Sequence, residues 1–166
     1  KIREQGLYDN SIIIFTSDNG PVLDDGYADF AAEMLGGHNP FAHFRGGKYS
    51  ALEAGTRVPM IVQWPSKIKE AKISEALFSH LDFLASFADF LGQEFDSLQA
   101  MDSQDHWETL IGKKETGRQS VVQQAIMGVL AYVRYDGYKY ITPGPSTQYV
   151  PWATVIETGF KTEDQL

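Results

Sequence analysis

Asp18 and Asn19 stand side by side and offer a carboxylate and an amide carbonyl, two hard oxygen donors of the kind calcium and magnesium take. They follow Ile12-Ile13-Ile14-Phe15-Thr16-Ser17 and precede Gly20-Pro21. Four bulky residues in a row, three of them β-branched, favour a strand buried on both faces, as in a parallel sheet. A buried helix has no different periodicity, but the run is short and Gly-Pro ends either element. Asp18 and Asn19 are thereby placed at the carboxyl end of a strand, where open α/β sheets bind their ligands. The other reading of Ser-Asp-Asn-Gly is an Asx-turn that closes the strand.

A second chemical segment is Arg45-Gly46-Gly47-Lys48. Two glycines let backbone come close to an anion, and Lys48 adds a compact charge with three donors. A solvated loop with a surface lysine is the alternative. Between the two segments, residues 22–44 lose all periodicity, with turn signals at Asp24-Asp25-Gly26 and Gly36-Gly37-His38-Asn39-Pro40. Phe30 to Leu35 reads as one helical turn. A long irregular insertion after a strand end is commonly functional. His38 and His43 are its notable residues, and each reads either as a loop staple or as a recognition group.

The elements that must position these groups read as follows. Lys1 to Leu7 is the end of a helix, stopped by Gly6. Tyr49 to Ala54 is a short helix ended by Gly55. Val58 to Pro65 is a second strand, with Pro59 at its start and Arg57 buried as a brace at its entry. Ser66 to Ser74 is a charged surface loop. Ser79 and Asp82 resemble a capping box, and Leu81, Leu84, Phe87, Ala88 and Leu91 form the inward face of a helix ended by Gly92. Gln93 to Met101 is a linker, and Ser103 to Ile111 is a short helix with Leu110 and Ile111 inward. Two alternating runs, Ser120–Ile126 and Val129–Tyr135, are followed by Asp136-Gly137, a type I′ hairpin signal, and a returning strand to Ile141. Beyond Pro143 a C-terminal strand or tail is all that the turn-rich composition suggests.

Composition sets outer limits. The 166 residues suffice for a sizeable core, and 43% hydrophobic with 22% charged residues is ordinary for a globular chain. A net charge of −8 argues against nucleic acid as a partner. It also requires a local cation and a few placed basic groups if the ligand is an anion. No apolar run is long enough to span a bilayer. Without cysteine there is no disulfide, thiolate site or thiol nucleophile, and the redox compartment stays undecided.

Taken together, Phe15 to Pro21, Arg45-Gly46-Gly47-Lys48, Glu53-Ala54-Gly55-Thr56-Arg57-Val58-Pro59, Trp64-Pro65 and Ser79-His80-Leu81-Asp82 resemble, in order and wording, the sulfatase family of the alkaline-phosphatase-like superfamily. The resemblance is strongest from Gly6 to Gly92. It implies an α/β chain: the C-terminal portion of an alkaline-phosphatase-like mixed or parallel sheet fold in residues 1–92. A small antiparallel-sheet and helix subdomain is implied in 93–166. It implies Asp18 and Asn19 as ligands of a divalent cation, calcium or else magnesium, and Lys48 as the lysine that contacts the sulfate. His38 and Asn39, in a loop anchored at both ends of the site, are expected to touch the sugar.

The resemblance also implies parts that this sequence does not carry. Sulfatases use a formylglycine made from cysteine or serine in a C/S-x-P/A-x-R motif, which has no match here, and neither does the family's N-terminal Asp-Asp pair. The nucleophile and the acid–base histidines are expected in an N-terminal catalytic portion of the same protein. The expectation is thus a sulfuric ester hydrolase acting on a sulfated sugar, with this chain inactive alone. Such proteins are secreted, periplasmic or lysosomal, although these residues leave the compartment unknown. Two alternatives remain: a phosphoester or phosphonate hydrolase of the same superfamily, or a non-catalytic binding module.

Overall fold

A computed structural model describes residues 1–96 and 98–142. The strand or tail expected beyond Pro143, the end of the expected 93–166 subdomain and one residue of the expected linker lie outside them.

Two sheets form. Strand β1 (Ile13–Thr16) pairs with β2 (Met60–Gln63), and β3 (Ser120–Gln124), β4 (Leu130–Arg134) and β5 (Lys139–Ile141) make a second sheet in that order. Among the described residues there are three α-helices: α1 (Glu53–Thr56), α2 (Asp82–Leu91) and α3 (Trp107–Leu110). By proximity the described residues divide into two units, one of residues 1–15, 61–121 and 133–138, the other of residues 16–60, 122–132 and 139–142.

In the first unit, residues 1–7 close one helical turn. Leu7 N–H donates to Ile2 O and Gly6 N–H to Arg3 O, with Gly6 at φ +71°. This is the Schellman stop expected of Gly6, because only glycine takes the left-handed position without strain. Helix α2 ends in the same way at Gly92, where Gln93 N–H reaches Ala88 O. An aromatic cluster packs α2 on α3, with Phe90 stacked on Trp107 at 4.3 Å and Trp64 edge-on to both.

The inward face of α2 differs from the expected one. Asp82, Ala85, Ser86 and Ala88 are buried, whereas Leu81, Leu84 and Leu91 are exposed. A buried ion pair sets that rotation. Arg118 Nε lies 2.9 and 2.8 Å from the two carboxylate oxygens of Asp82, whose side chain is fully buried. Gln104 N–H also donates to Asp82, and His106 N–H to Ser86 Oγ. Holding these polar groups inside requires their partners to be satisfied, and the leucine stripe turns outward. Asp82 still reaches back to Ser79 N–H at 3.0 Å, half of the expected capping box. Helix α3 starts at Trp107 rather than Ser103, since Ser103, Gln104 and His106 are bonded to α2 and its approach.

Strand β1 is not buried on both faces as expected: Phe15 is 64% exposed, as is Ile61 on β2. A two-stranded sheet leaves these residues without cover. The β3–β4–β5 sheet is antiparallel, as Ala125 N–H to Val129 O and Tyr135 N–H to Gln119 O require. Its second turn is not type I′. Gly137 has φ +86° but Asp136 is not left-handed, and Arg134 N–H closes on Tyr138 O. This is a three-residue loop with glycine at the bulge position.

Among the described residues no helix is long and apolar enough to cross a membrane.

Candidate active-site segment

The second unit holds every residue singled out for chemistry. Asp18 directly follows Ser17 at the end of β1, with Asn19 next. An Asx-turn at Asp18 would need the Gly20 amide, but that N–H goes to Gly55 O at 2.9 Å. One at Asn19 would need an N–H from Pro21, which has none. Asp18 Oδ1 instead accepts from Asn19 N–H, and Asn19 Nδ2 donates to Gly20 O. Among the described residues, Asp18 Oδ2 and Asn19 Oδ1 keep their lone pairs unused.

Gly20 is buried against α1. A Cβ there would stand 1.6 Å from Ala54 O, so the residue after the Asp-Asn pair can only be glycine. The lysine segment is tied to the same place. Lys48 N–H donates to Pro21 O at 2.9 Å, and Ala54 N–H donates to Arg45 O at 3.0 Å. One short helix thus carries both segments on its backbone.

The two glycines before Lys48 are buried, and their role is internal packing. Gly46 has φ +88°, and a Cβ on it would meet Ser50 Oγ at 2.2 Å. Ser50, 2% exposed, accepts from Gly47 N–H and Leu52 N–H and donates to Gly47 O. That hydroxyl bends residues 47–52 into a turn, which is why α1 begins at Glu53 rather than Tyr49 and contains Gly55. The Lys48 side chain is half-buried, with its ammonium 5.7 Å from the centre of the Tyr49 ring. Arg57 is exposed rather than buried: it pairs with Glu53 at 3.7 Å and lies over the Phe44 ring. The helix places it one turn beyond Glu53, facing water.

The loop of residues 22–44 folds on itself. Gly26 N–H caps onto Asp24, and Met34 N–H reaches Phe30 O, the single helical turn expected there. Asn39 takes the stapling role: its Oδ1 accepts from Phe41 N–H and its Nδ2 donates to Ala42 O at 2.7 Å. Ala42 has φ +51° and Phe30 φ +61°, strained values that need such support. His38 is exposed, and its ring has no hydrogen bond or ring contact among the described residues. His43 lies against Phe44, with ring centres 4.2 Å apart and planes tilted by 45°.

Sequence reasoning passed over Lys139, Ser50 and the Asp82–Arg118 pair. Lys139 of β5 is 13% exposed and lies 2.7 Å from Glu53 Oε1. It also donates to Ala51 O and Thr56 Oγ1. More than eighty residues separate the partners, so no local pattern announces the contact.

A family model described as Sulfatase matches residues 1–93. The chain belongs to the sulfatase family. An N-acetylgalactosamine-6-O-sulfatase of Bacteroides thetaiotaomicron is 51% identical over 160 residues, 96% of this chain and 31% of the relative. Arylsulfatase G of Rattus norvegicus is 31% identical over 82% of this chain and 27% of its own length. This sulfatase-family chain therefore spans about a third of the length of these curated relatives.

Among solved structures, a Bacteroides thetaiotaomicron protein described under metabolism of multiple glycosaminoglycans superposes with a TM-score of 0.85. Its identity is 49%, covering 96% of this chain and 32% of that one. The PsFucS1 sulfatase of Pseudoalteromonas sp. gives 0.60 at 23% identity over 85% of this chain and 30% of that one, a likeness of fold. The fold is accordingly the α/β, alkaline-phosphatase-like fold of the sulfatases, as the sequence leads one to expect.

Proposed function

We propose that this chain is the C-terminal part of a metal-dependent sulfatase that hydrolyses the 6-sulfate ester of an N-acetylgalactosamine-type sugar. The observation that carries it is 51% identity across 96% of the chain to a protein named for that activity. Residues 1–92 belong to the catalytic domain and 93–166 to an appended subdomain, a division supported by the family match ending at residue 93. The remaining catalytic portion of the same polypeptide supplies the formylglycine nucleophile and acid–base groups, and its packing covers Phe15 and Ile61. Alone, the 166 residues are inactive.

Asp18 Oδ2 and Asn19 Oδ1 suit a hard cation, calcium before magnesium, because both are oxygen donors and neither is engaged among the described residues. Calcium takes about six to eight oxygens, so these two are a partial set. Among the described residues no group of three or more acidic or histidine side chains gathers to complete it. A cation held there would supply polarisation of a sulfate oxygen.

The protein's own residues do the rest. Lys48 places a positive charge by the sulfate, where negative charge grows as the ester bond breaks. His38 donates or accepts at a sugar hydroxyl, with Asn39 holding the turn that presents it.

The test is sulfate release by the full-length protein from 6-sulfated N-acetylgalactosamine, with and without calcium. Calcium-dependent release supports the reading. Release of phosphate from a phosphoester, with none of sulfate, overturns it.

A further inference from the structure

We propose that Lys139 is a positioning residue for the Asp18-Asn19 pair and for Lys48, acting through α1; this rests on the roles proposed above for those three residues. The three acceptors around its ammonium are Glu53 Oε1 at 2.7 Å, Thr56 Oγ1 at 2.9 Å and Ala51 O at 3.0 Å. An ammonium has three protons, and all three are matched. Thr56 Oγ1 passes the chain on by donating to Leu52 O at 3.1 Å.

The contact matters because of what it holds. Helix α1 is a single turn of four residues with Gly55 within it, and so short a helix is not stable by its own hydrogen bonds. Yet its backbone carries the site: Gly55 O takes the Gly20 amide and Ala54 N–H holds Arg45 O. Any tilt of α1 therefore moves both functional segments together.

Lys139 itself is fixed. It opens β5, whose Ile141 packs on the core of Ala51, Val129 and Ala131. With Glu53 open to water at 41% exposure, the Glu53–Lys139 pair adds little to stability by charge alone. Its larger effect is on the placement of the turn that the sheet clamps.

The experiment uses the full-length protein and three variants, Lys139→Met, Glu53→Gln and Arg134→Ala. Arg134 is exposed, pairs with Asp136 and lies over the Tyr138 ring of its own hairpin, so it serves as control. Calcium affinity is read by titration calorimetry. Turnover on 6-sulfated N-acetylgalactosamine is read as kcat and KM separately.

Lys139→Met should weaken calcium binding about tenfold and lower kcat more than it raises KM. Glu53→Gln should move both in the same direction by less, and Arg134→Ala should change neither. Calcium affinity and kcat that stay at wild-type values in Lys139→Met, with or without a lower melting temperature, overturn the proposal. If that variant does not fold, unchanged calcium affinity and kcat in Glu53→Gln overturn it. A wild-type protein that neither binds calcium nor releases sulfate overturns the sulfatase reading and this inference with it. A wild-type protein that does both, with unaffected variants, overturns this inference alone.

Discussion

The Gly20 amide donates to the Gly55 carbonyl at 2.9 Å, and that one bond fixes where Asp18 and Asn19 stand. The approach is so close that no side chain fits at Gly20. A Gly20→Ala full-length protein should lose on the order of 1–3 kcal/mol from overpacking, and its calcium binding with it. Gly37→Ala is the matched control, since a Cβ there meets nothing within 4 Å. Denaturant melts of the two variants check the difference; equal midpoints would show that α1 yields freely.

The buried Asp82–Arg118 pair predicts a double-mutant cycle of a definite shape. Removing only the arginine, as in Arg118→Met, leaves a fully buried carboxylate and should cost about 3–5 kcal/mol. Replacing both, with Asp82→Leu and Arg118→Met together, should recover much of that loss, because apolar pairs of similar volume are commonly neutral in such places. Additive losses in the double variant would contradict the account.

Much of this was open to the sequence, for physical reasons. Gly6 and Gly92 stop helices where a left-handed residue is needed, and the apolar runs became β1 and β2. The Asp18-Asn19 and Lys48 segments were visible because local wording and order survive in a single chain. What stayed hidden was polar and long-range. The rotation of α2 comes from Arg118, thirty-six residues beyond Asp82, and the outward leucines follow from it. Ser50 looked like an ordinary helix residue until its hydroxyl was seen to bend the chain. The expectation that β1 is buried on both faces was drawn from composition, which records the cover a strand is built for and not the cover one stretch supplies.

Calcium binding by the 166-residue chain alone should be weak. Two adjacent oxygens are too few for a tight site. Calorimetric titration should show no saturable heat at micromolar calcium; a tight site would mean that further ligands, such as Asp24 and Asp25, turn inward.

His38 and Asn39 should separate cleanly in the full-length protein. Asn39→Ala removes the staple across Ala42 and should lower folding stability by about 1–2 kcal/mol for two lost hydrogen bonds. His38→Ala should leave stability unchanged and shift the relative specificity constants among differently sulfated sugars. Unchanged ratios would remove His38 from substrate recognition.

Lys48 decides the central claim. A single-turnover measurement of Lys48→Ala, in the full-length protein with saturating 6-sulfated N-acetylgalactosamine and calcium, isolates the chemical step. The account predicts a loss of roughly 10²–10³-fold in that step, the effect of removing one contact to developing charge, with the melting temperature unchanged. Wild-type rates from Lys48→Ala would contradict it.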